Sequence, residues 1–189
     1  MLRNLSERDE ADLFDRLNDT LSVDVFDKFR IRVNAGREVE TKIQHIVERE
    51  GLKISRDQVP GRIMAVGTLR RVYMRSNDAT LAKTLRIIRD AYGDAGFEAA
   101  VIDGIGYLVG RYNGLISEQS AAKQLGNIHG GAKGLLNRAN VIRERLGGAK
   151  GHSVAAAAVD VINAAAPRGK KLASWWKTDD NAGIEVTVD

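Results

Sequence analysis

The chain has 189 residues, 43% of them hydrophobic, with no cysteine and a formal net charge of +4. That length suits one sizeable domain or two small ones, and the apolar fraction supplies a core, which excludes a globally disordered chain. The absence of cysteine excludes disulfide scaffolds, thiol catalysis, iron–sulfur clusters and cysteine zinc sites, and His45, His129 and His152 are too scattered for a local metal site.

The chain reads as a succession of helices punctuated by glycine. Ser6 with Asp9 three positions later resembles a capping box, and Phe14, Leu17 and Leu21 follow on one helical face. Asp24 is placed to cap a second helix carrying Val25, Phe26, Phe29 and Val33, with Gly36 at its end. Val39, Ile43, Ile46 and Val47 mark a third helix closed by Gly51. The segment from Leu52 to Val59 is expected to be extended and to turn at Pro60-Gly61. Helical spacing resumes with Ile63, Val66, Leu69 and Val72. Asn77 or Asp78 then caps a helix containing Leu81, Leu85 and Ile88.

After Gly93 and Gly96, residues 97–112 are apolar around most of the helical circumference, which predicts the buried centre of a bundle. Gly104, Gly106 and Gly110 lower helix propensity there but allow close helix packing. They are not a dinucleotide fingerprint, because the spacing is G-x-G-x-x-x-G and no strand leads into it. Ser117 starts a short helix ending near Gly126, and a longer helix runs from about Gly130 to Leu146. Ser153 is expected to cap an alanine-rich helix from Val154 to Ala166, stopped by Pro167. Ile184 to Val188 reads as a short strand or a disordered end. The expectation is a mainly α, compact bundle of about eight or nine helices. It forms a single domain over residues 1–177, with a soft division near Asp94 and a tail over 178–189. Minor β structure is expected near 52–60 or at the C-terminus.

Charge is uneven along the chain. Residues 1–60 hold 11 basic and 13 acidic residues, whereas residues 61–189 hold 18 and 12. From Lys123 to Lys177 ten cations face only Glu144 and Asp160, a field that attracts polyanions. Within it, Gln119 to Arg145 has the order short helix, glycine turn, basic helix, which suits a helix-turn-helix whose second helix enters the major groove. It equally suits an ordinary helical hairpin with a basic outer face. Lys133, Arg138, Arg143 and Arg145 are the candidate phosphate contacts. Asn137 and His129 are candidate base readers, with Asn127 and Asn140 beside them. Gly130, Gly131 and Gly134 are poor helix formers at the start of the second helix. A phosphate-loop reading fails, because Gly126 and Gly131 are followed by Ala132 and Lys133 in the wrong order. The backbone amides from His129 to Ala132 nevertheless open a helix and suit one phosphate oxygen.

The tail mixes Arg168, Lys170, Lys171 and Lys177 with Trp175 and Trp176. Lys170 and Lys171 join the candidate DNA contacts. The indoles either stack on unpaired bases or fold back on the core. Arg70, Arg71, Arg75, Lys83, Arg86 and Arg89 form either a second basic face or ordinary surface cations. Catalysis has little support: Asp12, Asp15 and Asp19 share one face of the first helix, but no nucleophile–base pair can be named. No enzyme activity and no cofactor are expected.

Several stretches resemble ParB-like proteins of actinobacteria, phages and mobile elements. They are Leu5 to Asn18, Val25 to Gly36, Gly61 to Arg70, Thr84 to Tyr92, Gly130 to Leu136, Val154 to Asn163 and Lys170 to Trp176. The resemblance is to the region that follows the nucleotide-binding domain in those proteins. The G-E-R-R-type signature of that domain does not occur here, so nucleotide binding and hydrolysis do not carry over. What the resemblance implies is a helical DNA-associated or oligomerising module. The expected partner is DNA, with the acidic N-terminal helices as scaffold or homodimer interface. The alternative is a phage or mobile-element protein that binds and modulates a host protein. With no run of about 18 apolar residues and no leader pattern, a cytoplasmic location without a membrane span is expected.

Overall fold

The computed structural model describes residues 6, 7, 9, 10, 13, 24–57, 59–167 and 169–175. Helices dominate. They are α1 (Val25–Asn34), α2 (Glu38–Arg49), α3 (Val66–Arg75), α4 (Asp78–Tyr92), α5 (Ala99–Arg111), α6 (Glu118–Gly126), α7 (Gly131–Leu146) and α8 (Lys150–Ala165). Two short strands, β1 (Lys53–Ile54) and β2 (Arg62–Ile63), pair in parallel between α2 and α3. No helix among the described residues is long and apolar enough to cross a membrane.

Local signals in the sequence account for most of these boundaries. The Ser6 hydroxyl accepts from the Asp9 amide and the Asp9 carboxylate accepts from the Ser6 amide, each at 3.2 Å, closing the capping box. The Asp24 carboxylate accepts from the Phe26 amide, and the Asn77 side chain accepts from the Thr80 amide, each at 2.9 Å. The face expected of Phe14, Leu17 and Leu21 and the strand expected at 184–188 lie outside the described residues.

Two boundaries differ from expectation. The extended segment after Leu52 spans only β1, and its partner β2 contains Ile63, which the helical spacing had assigned to the next helix. Gly61, at φ 70°, turns the chain so that Ile54 and Ile63 come side by side, and α3 starts at Val66. Ser153 does not cap α8. Gly147 and Gly148 both take positive φ and end α7 abruptly, so Ala149 becomes the cap residue and the helix begins at Lys150. Ser153 is buried one turn inside, its hydroxyl turned back to the Ala149 carbonyl at 3.5 Å.

The core is organised around α5. Val101, Ile102, Ile105, Leu108 and Val109 have no solvent exposure, and the helix packs on α3, α4 and α8. Its glycines set the packing distance. A Cβ on Gly104 would collide with the Val154 side chain and come within 3.1 Å of the Gly151 carbonyl; one on Gly106 would meet Val72 at 2.8 Å. Gly151 of α8 answers Gly104, since a Cβ there would strike the Asp103 carboxylate. Gly110 faces open space and takes no part. Around this contact a single apolar cluster extends from Phe26 to Trp175.

Gly104→Ala is therefore expected to destabilise the fold by about 1–3 kcal/mol, because neither Val154 nor the α8 backbone can retreat. Gly110→Ala is expected to be neutral or stabilising by about 0.5–1 kcal/mol, because only backbone entropy changes. Urea unfolding of the two variants, followed by far-UV circular dichroism, checks both signs.

Candidate nucleic-acid interface

The basic stretch folds as the sequence order suggests: a short helix, a tight turn and a long helix. Ser117 caps α6, and Gly126 ends it where a Cβ would press on the Ala91 carbonyl at 3.1 Å. Residues 127–130 make the turn. Gly130 at φ 82° and Gly131 at φ 56° carry the left-handed backbone that reverses the chain. Gly134 is required for a different reason, because a Cβ there would run into the His129 carbonyl. The glycines that weaken the start of α7 thus let the turn lie directly on its first coil.

Arg86 fixes this unit to the rest of the protein. From α4 it gives two hydrogen bonds to Glu118 on α6, at 2.7 and 2.9 Å, and one to the half-buried Glu50 beyond α2, at 2.9 Å. The bonded guanidinium holds the Glu118 carboxyl below its ordinary range, outweighing burial, which pushes it up.

His129, Lys133, Asn137, Arg138, Arg143 and Arg145 are all exposed. Their side chains make no ion pair or hydrogen bond with another described residue. At about 3.6 residues per turn, Lys133, Asn137 and Glu144 fall along one line of α7 and Arg138 and Arg145 along a second, while Arg143 leaves in a third direction. The candidates therefore do not form one stripe, and Arg143 follows the line of the buried Leu136 and Ala139 where α7 runs past the core. Lys170 and Lys171 are exposed on a separate element, the strap that follows α8.

That strap settles the two readings of Trp175. The Asn163 side chain brackets Leu172, donating to its carbonyl at 2.9 Å and accepting from its amide at 2.7 Å. Tyr112 donates to the Ala173 carbonyl at 2.6 Å, and Arg111 to the Trp175 carbonyl at 3.0 Å. The Trp175 ring is buried edge-on against Tyr107 and His152, with the Arg111 guanidinium 4.7 Å from its centre. It caps the core and offers no face to a base. Trp176 lies outside the described residues.

The arginines of α3 and α4 are equally committed. Arg70 binds Glu40, Arg75 binds Asp103 and lies 3.4 Å from the centre of the Tyr107 ring, and Arg71 binds Thr68. Lys83 donates to the Ile116 carbonyl and Arg89 to that of Glu50, both at 2.8 Å. Arg70, Arg75, Lys83 and Arg89 tie separate elements together, whereas Arg71 bonds only within α3. Sequence reasoning could not reach the partners of Arg70, Arg75, Lys83 and Arg89, because they are 28 to 39 residues away.

A groove of about 840 Å³ opens where the β2 region meets the start of α7. Arg62, Lys133, Asp94 and Glu98 line it, together with Met64 and Tyr92. The Tyr92 hydroxyl is buried without a partner, and burial raises its pKa. Among the described residues no group of three or more metal-ligating side chains comes together.

Fold and site define a mainly helical protein that presents a basic helical hairpin. The chain belongs to a family of unknown function, DUF6551, whose profile matches residues 2–134. No curated protein and no solved structure matches it. The matched region ends at Gly134, inside the first turns of α7.

Removing Arg86 tests the anchoring of α6. Glu118 with a lowered pKa adds stability above its ordinary value of 4.5, and that contribution is lost as pH falls through the lower folded value. Arg86→Ala is expected to lower the urea midpoint at pH 7, and the gap from the parent protein is expected to narrow in acid. A constant gap from pH 7 to pH 3 would show that the Glu118 pair carries no stability.

Proposed function

We propose that this protein is a DNA-associated helical module that docks on duplex DNA through α6, the glycine turn and α7, without nucleotide hydrolysis. One observation carries the reading: Arg70, Arg75 and Arg86 of α3 and α4 are neutralised by internal carboxylates, whereas the cations of α7 are exposed and have no ion pair among the described residues. Cations left unneutralised in one region are available to displace counterions from a phosphate backbone.

The geometry suggests a division of labour. Lys133 stands on the first turn of α7, beside amides that no side chain caps, so phosphate meets both the ammonium and the positive helix end. Lys133 and Arg145 are separated by twelve residues, about 18 Å along the axis. At 100° per residue they also project about 120° apart, so a helix lying in the major groove offers a cation toward each phosphate wall. Asn137 and His129, near the turn, face the base edges in this arrangement. The resemblance to the DNA-associated part of ParB-like proteins points the same way.

Fluorescence anisotropy against duplex DNA at several salt concentrations tests the proposal. The expected log–log slope is about −0.9 per phosphate contacted. Lys133→Glu combined with Arg138→Glu is expected to abolish retention and leave the helical signal intact. Lys53→Glu, an exposed charge reversal on β1, is expected to change little. Unchanged affinity in the double variant, or no binding at low salt, would overturn the proposal.

A further inference from the structure

The groove between the β2 region and the start of α7 has a use that the docking of paired DNA does not absorb. Its volume of about 840 Å³ lies within the roughly 300–1,000 Å³ of sites that enclose a small organic group. Two of its lining groups are cations. Lys133 is exposed and has no partner among the described residues. Arg62 spends one guanidinium nitrogen on the Arg56 carbonyl at 3.1 Å and the Met64 sulfur at 3.3 Å. Its other nitrogens bond no described residue.

The same groove holds two carboxylates. One oxygen of Asp94 accepts from the Gly61 amide at 2.9 Å, and the other has no partner among the described residues. Glu98 is exposed and caps no amide of α5. Apolar surface comes from Met64, which is 50% exposed, and from the half-buried Tyr92 ring. The Tyr92 hydroxyl has no hydrogen-bond partner among the described residues, so the fold leaves one polar group in this wall unsatisfied.

A plain polyanion does not fit this mixture, because the carboxylates repel it. The complement is a group that is anionic at one point, apolar on its faces and rich in donors at its edge. We infer that the groove takes an unpaired base of the DNA strand whose phosphate lies on Lys133. Resting on the DNA reading, this uses the continuity between groove and α7: Lys133 belongs to both, so a strand held there passes the groove mouth. Arg62 takes a neighbouring phosphate, and the base lies against Met64 and Tyr92. Asp94 and Glu98 accept from its exocyclic amine, as carboxylates do from cytosine. Adenine, cytosine and guanine are therefore preferred to thymine, which has no such amine.

Fluorescence anisotropy with a set of otherwise identical duplexes tests the inference. One is fully paired, and the others carry a single bulged nucleotide that is adenine, thymine or abasic. The phosphates of the bulged set are the same, so their affinity ratios report the base alone. The adenine bulge is expected to bind at least about tenfold tighter than the abasic one, with thymine between them. Met64→Asp is expected to remove that gain, and Glu98→Gln to narrow the gap between adenine and thymine, with circular dichroism reporting that each variant stays folded. Equal affinity for adenine and abasic bulges, or a gain indifferent to both variants, would overturn it. Calorimetric titration with dAMP and with deoxyribose 5-phosphate separates the two readings. A protein that binds paired duplex but shows neither a bulge gain nor a preference for dAMP overturns this inference alone. One that binds dAMP at least about tenfold tighter than the sugar phosphate, loses this with Met64→Asp and ignores paired duplex overturns the DNA reading alone. Binding of neither duplex nor dAMP overturns both.

Discussion

The contact between α5 and α8 sets the spacing of the whole bundle. Gly104 and Gly151 remove a side chain from each helix where they meet, and Val154 and Asp103 fill the space. Helices that approach this closely exchange many small dispersion gains across the interface, which offsets the backbone entropy that glycine costs. The alanines from Ala155 to Ala158 extend the contact with short side chains, all buried. Every other helix is placed, directly or through α4 and α7, by where this pair leaves room.

Polar interactions then tie the periphery to that centre. Arg86 links α4 to α6 and to the end of α2, and Arg75 links α3 to Asp103, the residue packed against Gly151. Asn163 performs the same task for the strap by reading backbone alone, so the side chains at 173 and 174 are left out of that bracket. The basic hairpin is therefore held by buried apolar contacts and carboxylate partners that lie behind its exposed face. Its outward cations contribute nothing to holding it in place, which leaves them available for a ligand.

Much of the fold was legible in the sequence because helix signals are local. Ser6 with Asp9, Asp24, Asn77 and Ser117 act on amides two or three residues away, and the apolar spacing around Ile43 and Ile105 repeats within a few turns. The misreadings share a cause. Ile63 has helical spacing to Val66, but its pairing with Ile54 depends on how the turn at Gly61 closes. Ser153 looks like a cap until Gly147 and Gly148 fix where α7 ends. At the site, the exposed basic helix could be read from composition and spacing. The neutralisation of Arg70, Arg75 and Arg86 could not, because it depends on tertiary neighbours; nor could the role of Gly134, which lies against the carbonyl of its own turn.

The pairing of Arg70, Arg75 and Arg86 with internal carboxylates has an electrostatic consequence beyond packing. A close pair of opposite charges has a weak field at a distance, so those residues nearly vanish from the potential seen several ångströms into solvent. What remains is the excess of exposed cations on α7 and the strap, which have no ion pair among the described residues. The field of the α7 cations therefore stands out above that of the paired arginines. In a polyanion's field such a molecule is turned before it touches, so fewer collisions are spent in unproductive orientations.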